Sequence, residues 1–355
     1  MTIDLTQRLC DATTGALELF AVHLGRRLGL YDALARLGPQ TPAELAGAAR
    51  IDERYAREWL EQQAVAGVLA VVADPGPADE RRFALPDEHR GALVDPVDGD
   101  HVAPFADMVV GVAGALGDVA DAYRTGAGVP YGRYGTDFRH GQGAINRPAF
   151  GADLVKSWLP AVAGVGDRLA AGGRVADVGT GHGWAAIAVK SAWPAAEVVA
   201  LDVDAPSVAE ARRHAERAGV DVRFAVPERT TGDALAALAP LDVVLVLEAL
   251  HDMADPVDVL AGARAALAPG GVVVVADEAV AETFTAPGDD VERMMYGWSV
   301  THCLPVARSE SPSAALGTAL RPDVVADLAA QAGLARCEVV DVDAGFFRIY
   351  RLAAS

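Results

Sequence analysis

The chain has 355 residues, enough for about two or three domains and a sizeable buried core. It carries 49 acidic against 30 basic side chains, a net charge of −19, which opposes nucleic-acid binding because that affinity comes largely from cations neutralising phosphates. Its three cysteines, Cys10, Cys303 and Cys337, are too scattered for a disulfide framework or a cysteine zinc site.

No apolar run approaches the roughly 18 residues of a membrane span. The opening MTIDLTQRLCDATTG lacks the basic-then-apolar profile of a signal peptide. The expectation is a soluble, cytoplasmic protein with no membrane partner.

Residues 5–37 read as helices, with Leu17, Phe20, Ala21, Leu24 and Leu28, then Leu30, Leu34 and Leu37, near the helical period. Gly38-Pro39 stops that run. Thr41-Pro42-Ala43-Glu44 opens the next helix with a capping residue, an early proline and an acid three positions on. A further helix spans about 52–66, with Tyr55, Trp59 and Leu60 on its inner face. An apolar run at 68–72, a turn-rich DPGPADE and a short strand at 82–85 follow. Helix, turn, helix and β-hairpin is the order of a winged-helix domain, assigned to residues 1–100. Its candidate recognition helix sets Glu53, Glu58 and Glu61 against Arg54 and Arg57, so it has no basic surplus for DNA.

Residues 101–150 read as a helical connector with a glycine-rich loop, GAGVPYGRYGTDFRHGQGAINRPAF. Tyr131, Tyr134, Phe138, Arg139, His140, Asn146 and Arg147 give it more chemical variety than a plain linker. It is either an ordered hinge or a lid over a substrate. Arg133, Arg139 or Arg147 could grip a substrate carboxylate in bidentate fashion, and the sequence does not choose among them.

Residues 151–355 alternate strand and helix. Arg174–Asp202 reads as strand, glycine-rich turn, helix and strand, with Asp177 before the turn, glycines at 179, 181 and 183, and Asp202 closing the second strand. Further strands are read at 222–226, 241–248, 272–276, 337–342 and 346–352, with helices at 207–218, 256–267 and 322–332. Pro269-Gly270-Gly271 is taken as a helix stop. The alternation implies a mostly parallel sheet covered on both faces. The last two strands, joined by the tight turn Asp343-Ala344-Gly345, must be antiparallel.

The Asp-x-Gly-x-Gly-x-Gly spacing places a carboxylate where a dinucleotide would bring its pyrophosphate, and a cationic, phosphate-free ligand suits it better. This stretch resembles the glycine motif of class I S-adenosylmethionine (SAM) methyltransferases. The resemblance implies a doubly wound, mostly parallel seven-stranded sheet, Rossmann-like, with an N-terminal helical winged-helix domain. It further implies S-adenosylmethionine bound by Asp177, Gly179, Gly181, Gly183, Asp202 and Glu248. An adenine-contacting acid is sought in Glu228 or Asp233. O-methyltransferases similar to this chain carry a winged-helix dimerisation module, so a homodimer through the N-terminal domain is expected.

Ligands of open α/β sheets lie over the carboxyl ends of the strands. There the chain offers Glu248-Ala-Leu-His251-Asp252-Met253, and after the next strand Asp277-Glu278, then Glu292 to Pro305 with Met295, Trp298 and His302 on roughly one helical face. O-methyltransferases of this type have a His-Asp pair with the histidine as base, usually followed by tryptophan, where this chain has Met253. Glu278 is a candidate to orient His251.

His251, Asp252 and His302 also resemble the ligand set of metal-binding α-keto acid C-methyltransferases of antibiotic pathways. That resemblance implies a divalent or ferric ion (Zn or Fe) held by the three, a chelated keto acid, methylation at C3, and His251 or Asp252 as catalytic base. O-methylation of a small aromatic with His251 as a metal-free base is the alternative. A SAM-sensing winged-helix regulator is the second. The other reading of His302 is a helix histidine hydrogen-bonded in the core, and His182 reads as a loop residue rather than a catalyst.

Overall fold

The computed structural model describes residues 4–354. They form two compact units: residues 4–114 with Gly135–Pro148, and Ala115–Tyr134 with 149–354. The stretch 101–150, read above as one connector, is thus divided between them.

In the first unit, helices Leu5–Arg27, Leu30–Leu37, Pro42–Ala49 and Glu53–Val65 precede a two-stranded antiparallel ribbon of β1 (Ala70–Ala73) and β2 (Arg82–Ala84). The Thr41 hydroxyl accepts from Glu44 N while the Glu44 carboxylate accepts from Thr41 N, so the capping box closes in both directions. Leu30, Leu34, Leu45, Trp59, Leu60 and Phe83 form the core of this unit. Tyr55 is 77% exposed rather than inward-facing. The buried stripe of its helix is Ala56, Trp59, Leu60 and Gln63, which is the i, i+3, i+4, i+7 set, and Tyr55 lies beside it. The apolar residues of the first helix stay on the surface of the single chain: Leu17 is 61% exposed, and Leu9, Leu24 and Leu28 are exposed with it.

The second unit holds β3 (Arg174–Val178), β4 (Glu197–Leu201), β5 (Arg223–Ala225), β6 (Leu241–Leu247), β7 (Leu267–Glu278), β8 (Arg336–Val339) and β9 (Phe347–Ala353). They make one seven-stranded sheet in the order β5-β4-β3-β6-β7-β9-β8. The five strands from β5 to β7 pair in parallel, and β9 runs antiparallel to both β7 and β8. One apolar cluster covers each face, which is why Val243–Val246 and Val272–Val275 read as unbroken apolar runs.

β7 starts earlier than its apolar run suggests. Pro269-Gly270-Gly271 lies within it as an irregularity between the pairs Leu241↔Leu267 and Val243↔Val272. The strand order reverses at β3, and β4 and β6 flank it on opposite sides. Their carboxyl ends therefore diverge at a switch point where a ligand can enter. No helix among the described residues is long and apolar enough to cross a membrane.

Candidate active site

The glycine turn follows β3 directly. Gly179, Gly181 and Gly183 have φ of 70°, 52° and 81°, values that side-chain-bearing residues rarely adopt. A Cβ at Gly179 would lie 2.7 Å from Ala249 Cβ, and one at Gly183 would lie 2.8 Å from Ala211 Cβ, whereas at Gly181 nothing lies within 4 Å. Two glycines thus admit neighbouring side chains, while Gly181 faces open space. Gly179 N and Thr180 N donate to Leu201 O, and Gly181 N donates to Asp202 Oδ2 at 2.7 Å. The Asp202 Oδ1 accepts from Asp204 N. The turn is therefore tied to the end of β4, with Asp202 beside it.

Asp177 lies beneath the turn, buried, with the Thr180 hydroxyl donating to its Oδ2. Burial raises its carboxyl to about 6, and the nearby Asp202 charge adds to that. His182, read as a loop residue, is buried; its carbonyl accepts from His214 Nδ1, and Trp184 stacks on the His214 ring at 4.1 Å. Glu228 and Asp233 are both exposed.

The loop after β6 reaches the same edge. Glu248 adopts a φ of 48°, an uncommon conformation for a residue with a side chain, and its N–H donates to Ala276 O. Leu250–Asp252 then form one 3-10 turn that directs His251 inward. His251 is buried. Its Nδ1–H donates to Asp277 Oδ1 at 2.9 Å, with Glu278 Oε2 3.7 Å from the same nitrogen. Nε2 is 3.5 Å from Asp252 Oδ1.

Burial alone would depress the His251 imidazole, but Asp277, Asp252 and Glu278 together more than offset it and hold it well above its ordinary value. Glu278 is pushed up by burial, against the lowering effect of His251, with Asp277 and Glu248 adding to the rise. The residue that orients His251 is therefore Asp277, the immediate neighbour of the expected Glu278. Both stand at the end of β7, where successive side chains leave opposite faces, and the sequence alone left the choice of face open.

The segment beyond β7 forms helix Asp290–Trp298, a wider π-type turn Ser299–Cys303 and a last helical turn Leu304–Ala307. Met295 and His302 are buried as the helical face requires, and Trp298 is partly buried. The π-type turn also brings Cys303 inward, which the plain helical period does not anticipate. Among the described residues, His251, Asp252 and Cys303 bring one ligand atom each within 4.8 Å of one another; His302 does not join His251 and Asp252 in such a group.

His302 Nδ1 instead lies 3.5 Å from Cys303 Sγ, and the Tyr134 ring meets the His302 ring edge-on at 4.5 Å. Tyr131 is the next ring out at 5.8 Å, and the Tyr134 hydroxyl donates to Thr301 O. Burial depresses His302 to about 4 and pushes the Cys303 thiol up to about 12. A neutral imidazole and a protonated thiol thus line this wall. Of the expected metal set, His251 and Asp252 come together with Cys303 rather than with His302, while the Nδ1–H bond to Asp277 leaves His251 Nε2 as the nitrogen facing that group.

Of the loop residues singled out above, Tyr131 and Tyr134 belong with His302, while Phe138, Arg139, His140, Asn146 and Arg147 belong to the other unit. Arg133 pairs with Asp118 at 2.7 Å. Met253, in place of tryptophan, packs half-buried against the apolar cluster on one face of the sheet.

Residues 176–273 match the family model described as methyltransferase domain, and residues 15–94 match the Rv2258c-like winged HTH domain. The chain carries a methyltransferase domain behind a winged helix-turn-helix domain. Among curated relatives, it is 39% identical over 105 residues to a demethylmenaquinone methyltransferase of Thermus thermophilus, covering 29% of this chain and 46% of that protein. It is 37% identical over 102 residues to a ubiquinone biosynthesis O-methyltransferase of Roseobacter denitrificans, covering 28% and 39%. The chain thus spans less than half the length of these relatives.

Solved structures match nearly end to end. The mitomycin 7-O-methyltransferase MmcR gives a TM-score of 0.68 at 21% identity over 99% of this chain and 98% of that one. Human N-acetylserotonin methyltransferase, in complex with SAM, gives 0.68 at 17% over the same shares. PigF with SAH gives 0.72 at 16% over 98% and 99%. At these identities the likeness establishes the fold, a class I methyltransferase domain with an N-terminal winged helix. The matched model begins within β3 and ends within β7, so it contains the glycine turn, Asp202, Glu248 and His251.

Proposed function

We propose that the protein transfers the methyl group of S-adenosylmethionine to an oxygen of a small hydroxylated molecule, with His251 as general base. The observation that carries this reading is the His251–Asp277 pair at the carboxyl ends of β6 and β7. Asp277 takes Nδ1–H, which fixes the ring, and Nε2 is the nitrogen that accepts a proton once the pH exceeds the raised value of His251. The names of the relatives and neighbours favour methyl transfer to oxygen over C-methylation of a keto acid, and His302 stands outside the ligand group that His251 and Asp252 form with Cys303.

Asp177, Gly179, Gly181, Gly183 and Asp202, with Glu248 across the turn, are the residues that would hold the methyl donor. The fit rests on the open side of Gly181, on the carboxylate of Asp202 beside it and on the acidic lining, which suits a cation. Bound there, S-adenosylmethionine supplies an electrophilic methyl on a sulfonium. The chain's own residues do the rest. The turn fixes the position of the donor. His251 Nε2 withdraws the proton from the acceptor hydroxyl, and Asp277 holds the resulting imidazolium. Met295, His302 and Cys303 line the neighbouring wall as buried side chains. Alignment of donor and acceptor contributes much of the acceleration, since methyl transfer is an in-line displacement.

The exposed leucines of the first helix support the homodimer through the N-terminal domain, with residues 1–100 as the dimerisation module. A cytoplasmic setting fits the free cysteines.

Calorimetry with S-adenosylmethionine, followed by turnover over a panel of phenols, tests the proposal. His251→Asn keeps a donor to Asp277 and is expected to bind S-adenosylmethionine normally while losing roughly 10²- to 10⁴-fold in turnover. Undiminished turnover in that variant would remove His251 as base.

A further inference from the structure

The acceptor pocket has an electrostatic bias that its fold does not require. A general base must lie within roughly 3 Å of the oxygen whose proton it takes. Nδ1 of His251 is committed to Asp277, so the reacting oxygen must approach Nε2, and Nε2 lies 3.5 Å from Asp252 Oδ1. The reacting oxygen is then held within roughly 6 to 7 Å of that carboxylate, adding the 3.5 Å separation to one hydrogen-bond length.

Asp277 and Glu278 stand behind the ring at 2.9 and 3.7 Å from Nδ1. The charges acting most strongly on His251 are Asp277 and then Asp252. Those acting on His302 and Cys303 are Asp252 and His251, and no arginine or lysine is among them. The remaining wall is neutral: the Tyr134 and Tyr131 rings, the His302 ring and the Cys303 thiol. Arg133, one candidate for gripping a carboxylate, is engaged with Asp118. The net charge of −19 adds a repulsive far field for anions.

We propose that this pocket selects uncharged or cationic hydroxyl substrates and discriminates against acceptors that carry a carboxylate beside the reacting oxygen. The proposal rests on the reading of methyl transfer to oxygen at His251. It names the substrate class for that site and points away from α-keto acids. A carboxylate brought next to Asp252 meets a like charge in a half-buried setting where solvent screens weakly. An ammonium at the same place meets an opposite charge and aromatic edges and faces.

Three phenols of matched size separate charge from shape: 3-hydroxybenzylamine, 3-hydroxybenzyl alcohol and 3-hydroxybenzoate. Their kcat/KM values are measured with saturating S-adenosylmethionine, and their affinities by calorimetry on the intact protein loaded with S-adenosylhomocysteine. The amine and the alcohol are expected to exceed the benzoate by roughly tenfold or more in both readouts. Asp252→Asn is expected to narrow that ratio whatever it does to the absolute rate, an effect that a purely structural role for Asp252 would not produce. Benzoate equal to or better than the other two, in rate or affinity, overturns the proposal. So does an unchanged ratio in Asp252→Asn. If none of the three is methylated but the affinities keep the stated order, the charge selection stands and the assignment of oxygen as acceptor falls.

Discussion

Asp177 offers a test in which stability and ligand binding move in opposite directions. Its carboxyl is fully buried and raised from 3.8 to about 6, chiefly by burial. At about 1.36 kcal/mol per pKa unit, a shift of about 2 units is worth about 3 kcal/mol. Because the folded value lies above the unfolded one, the folded chain binds the extra proton between roughly pH 4 and 6. The stabilisation is complete below that window and lost as pH rises through the folded value, so at pH 7 the charged Asp177 destabilises the empty protein.

Asp177→Asn removes the charge and keeps the geometry. Its carbonyl can accept from the Ala186 N–H that bonds the carboxylate, and its amide can donate to the Thr180 hydroxyl. The expected gain is up to about 3 kcal/mol at pH 7, a rise of roughly 5–10 °C in Tm for the methyltransferase unit, shrinking to nothing near pH 4. The variant should also bind S-adenosylmethionine more weakly, having lost a carboxylate beneath the turn. Thermal unfolding at pH 7 and pH 4.5, with and without S-adenosylmethionine, reads both effects. A variant that is no more stable at pH 7, or whose gain grows toward acid pH, would refute the account of Asp177 as a charge buried at the expense of stability.

Asp277→Asn should lower the His251 pKa by removing one of the acids that raise it, so the acid limb of the kcat/KM–pH profile moves to lower pH while kcat falls through lost orientation; a limb that stays in place sinks this role. Gly183→Ala and Gly179→Ala should each destabilise by roughly 2 kcal/mol or more, since a positive φ and a sub-3 Å contact act together, whereas Gly181→Ala meets only the conformational penalty and should chiefly weaken donor binding. Melting curves of the three variants rank them. Leu17→Lys with Leu24→Glu places charges on the exposed stripe of the first helix, and light scattering should show the dimer dissociating. A pair of variants that leaves the mass unchanged moves the interface elsewhere.

The parts of the fold that were legible in the sequence are those encoded locally. Thr41 and Glu44 announce their capping box because both partners lie within one turn. The glycines at 179, 181 and 183 announce a turn that no residue with a Cβ could make without strain. Unbroken valine runs announce β6 and β7 because both faces of those strands are covered. What stayed hidden depends on tertiary register. Asp277 and Glu278 are equivalent in sequence, and only the twist of β7 against the loop after β6 decides which one meets His251 Nδ1. Cys303 is hidden for a different reason. Counting from Met295 along an ideal helix reaches His302, but the π-type turn widens the backbone at Ser299–Cys303 and turns two adjacent side chains inward. A proline at 305, just after that turn, was the available local signal, since its missing N–H disfavours regular helix there.

Three locally unfavourable features of the second unit lie at one edge of the sheet. Asp177 at the end of β3 is a buried carboxylate held above its ordinary range. Glu248, just past β6, has a left-handed φ of 48°. Glu278, at the end of β7, is an acid that burial pushes well above its ordinary range beside Asp277. The three lie on three neighbouring strands, at their carboxyl ends, while the opposite ends of the same strands are tied down by ordinary contacts such as Arg168 with Asp242 at 2.8 Å. Random imperfection would scatter such features. Their convergence on the edge that carries the glycine turn and His251 is what is expected when local stability is given up for a preorganised site. It also explains why a substitution that stabilises the fold at Asp177 is expected to weaken donor binding.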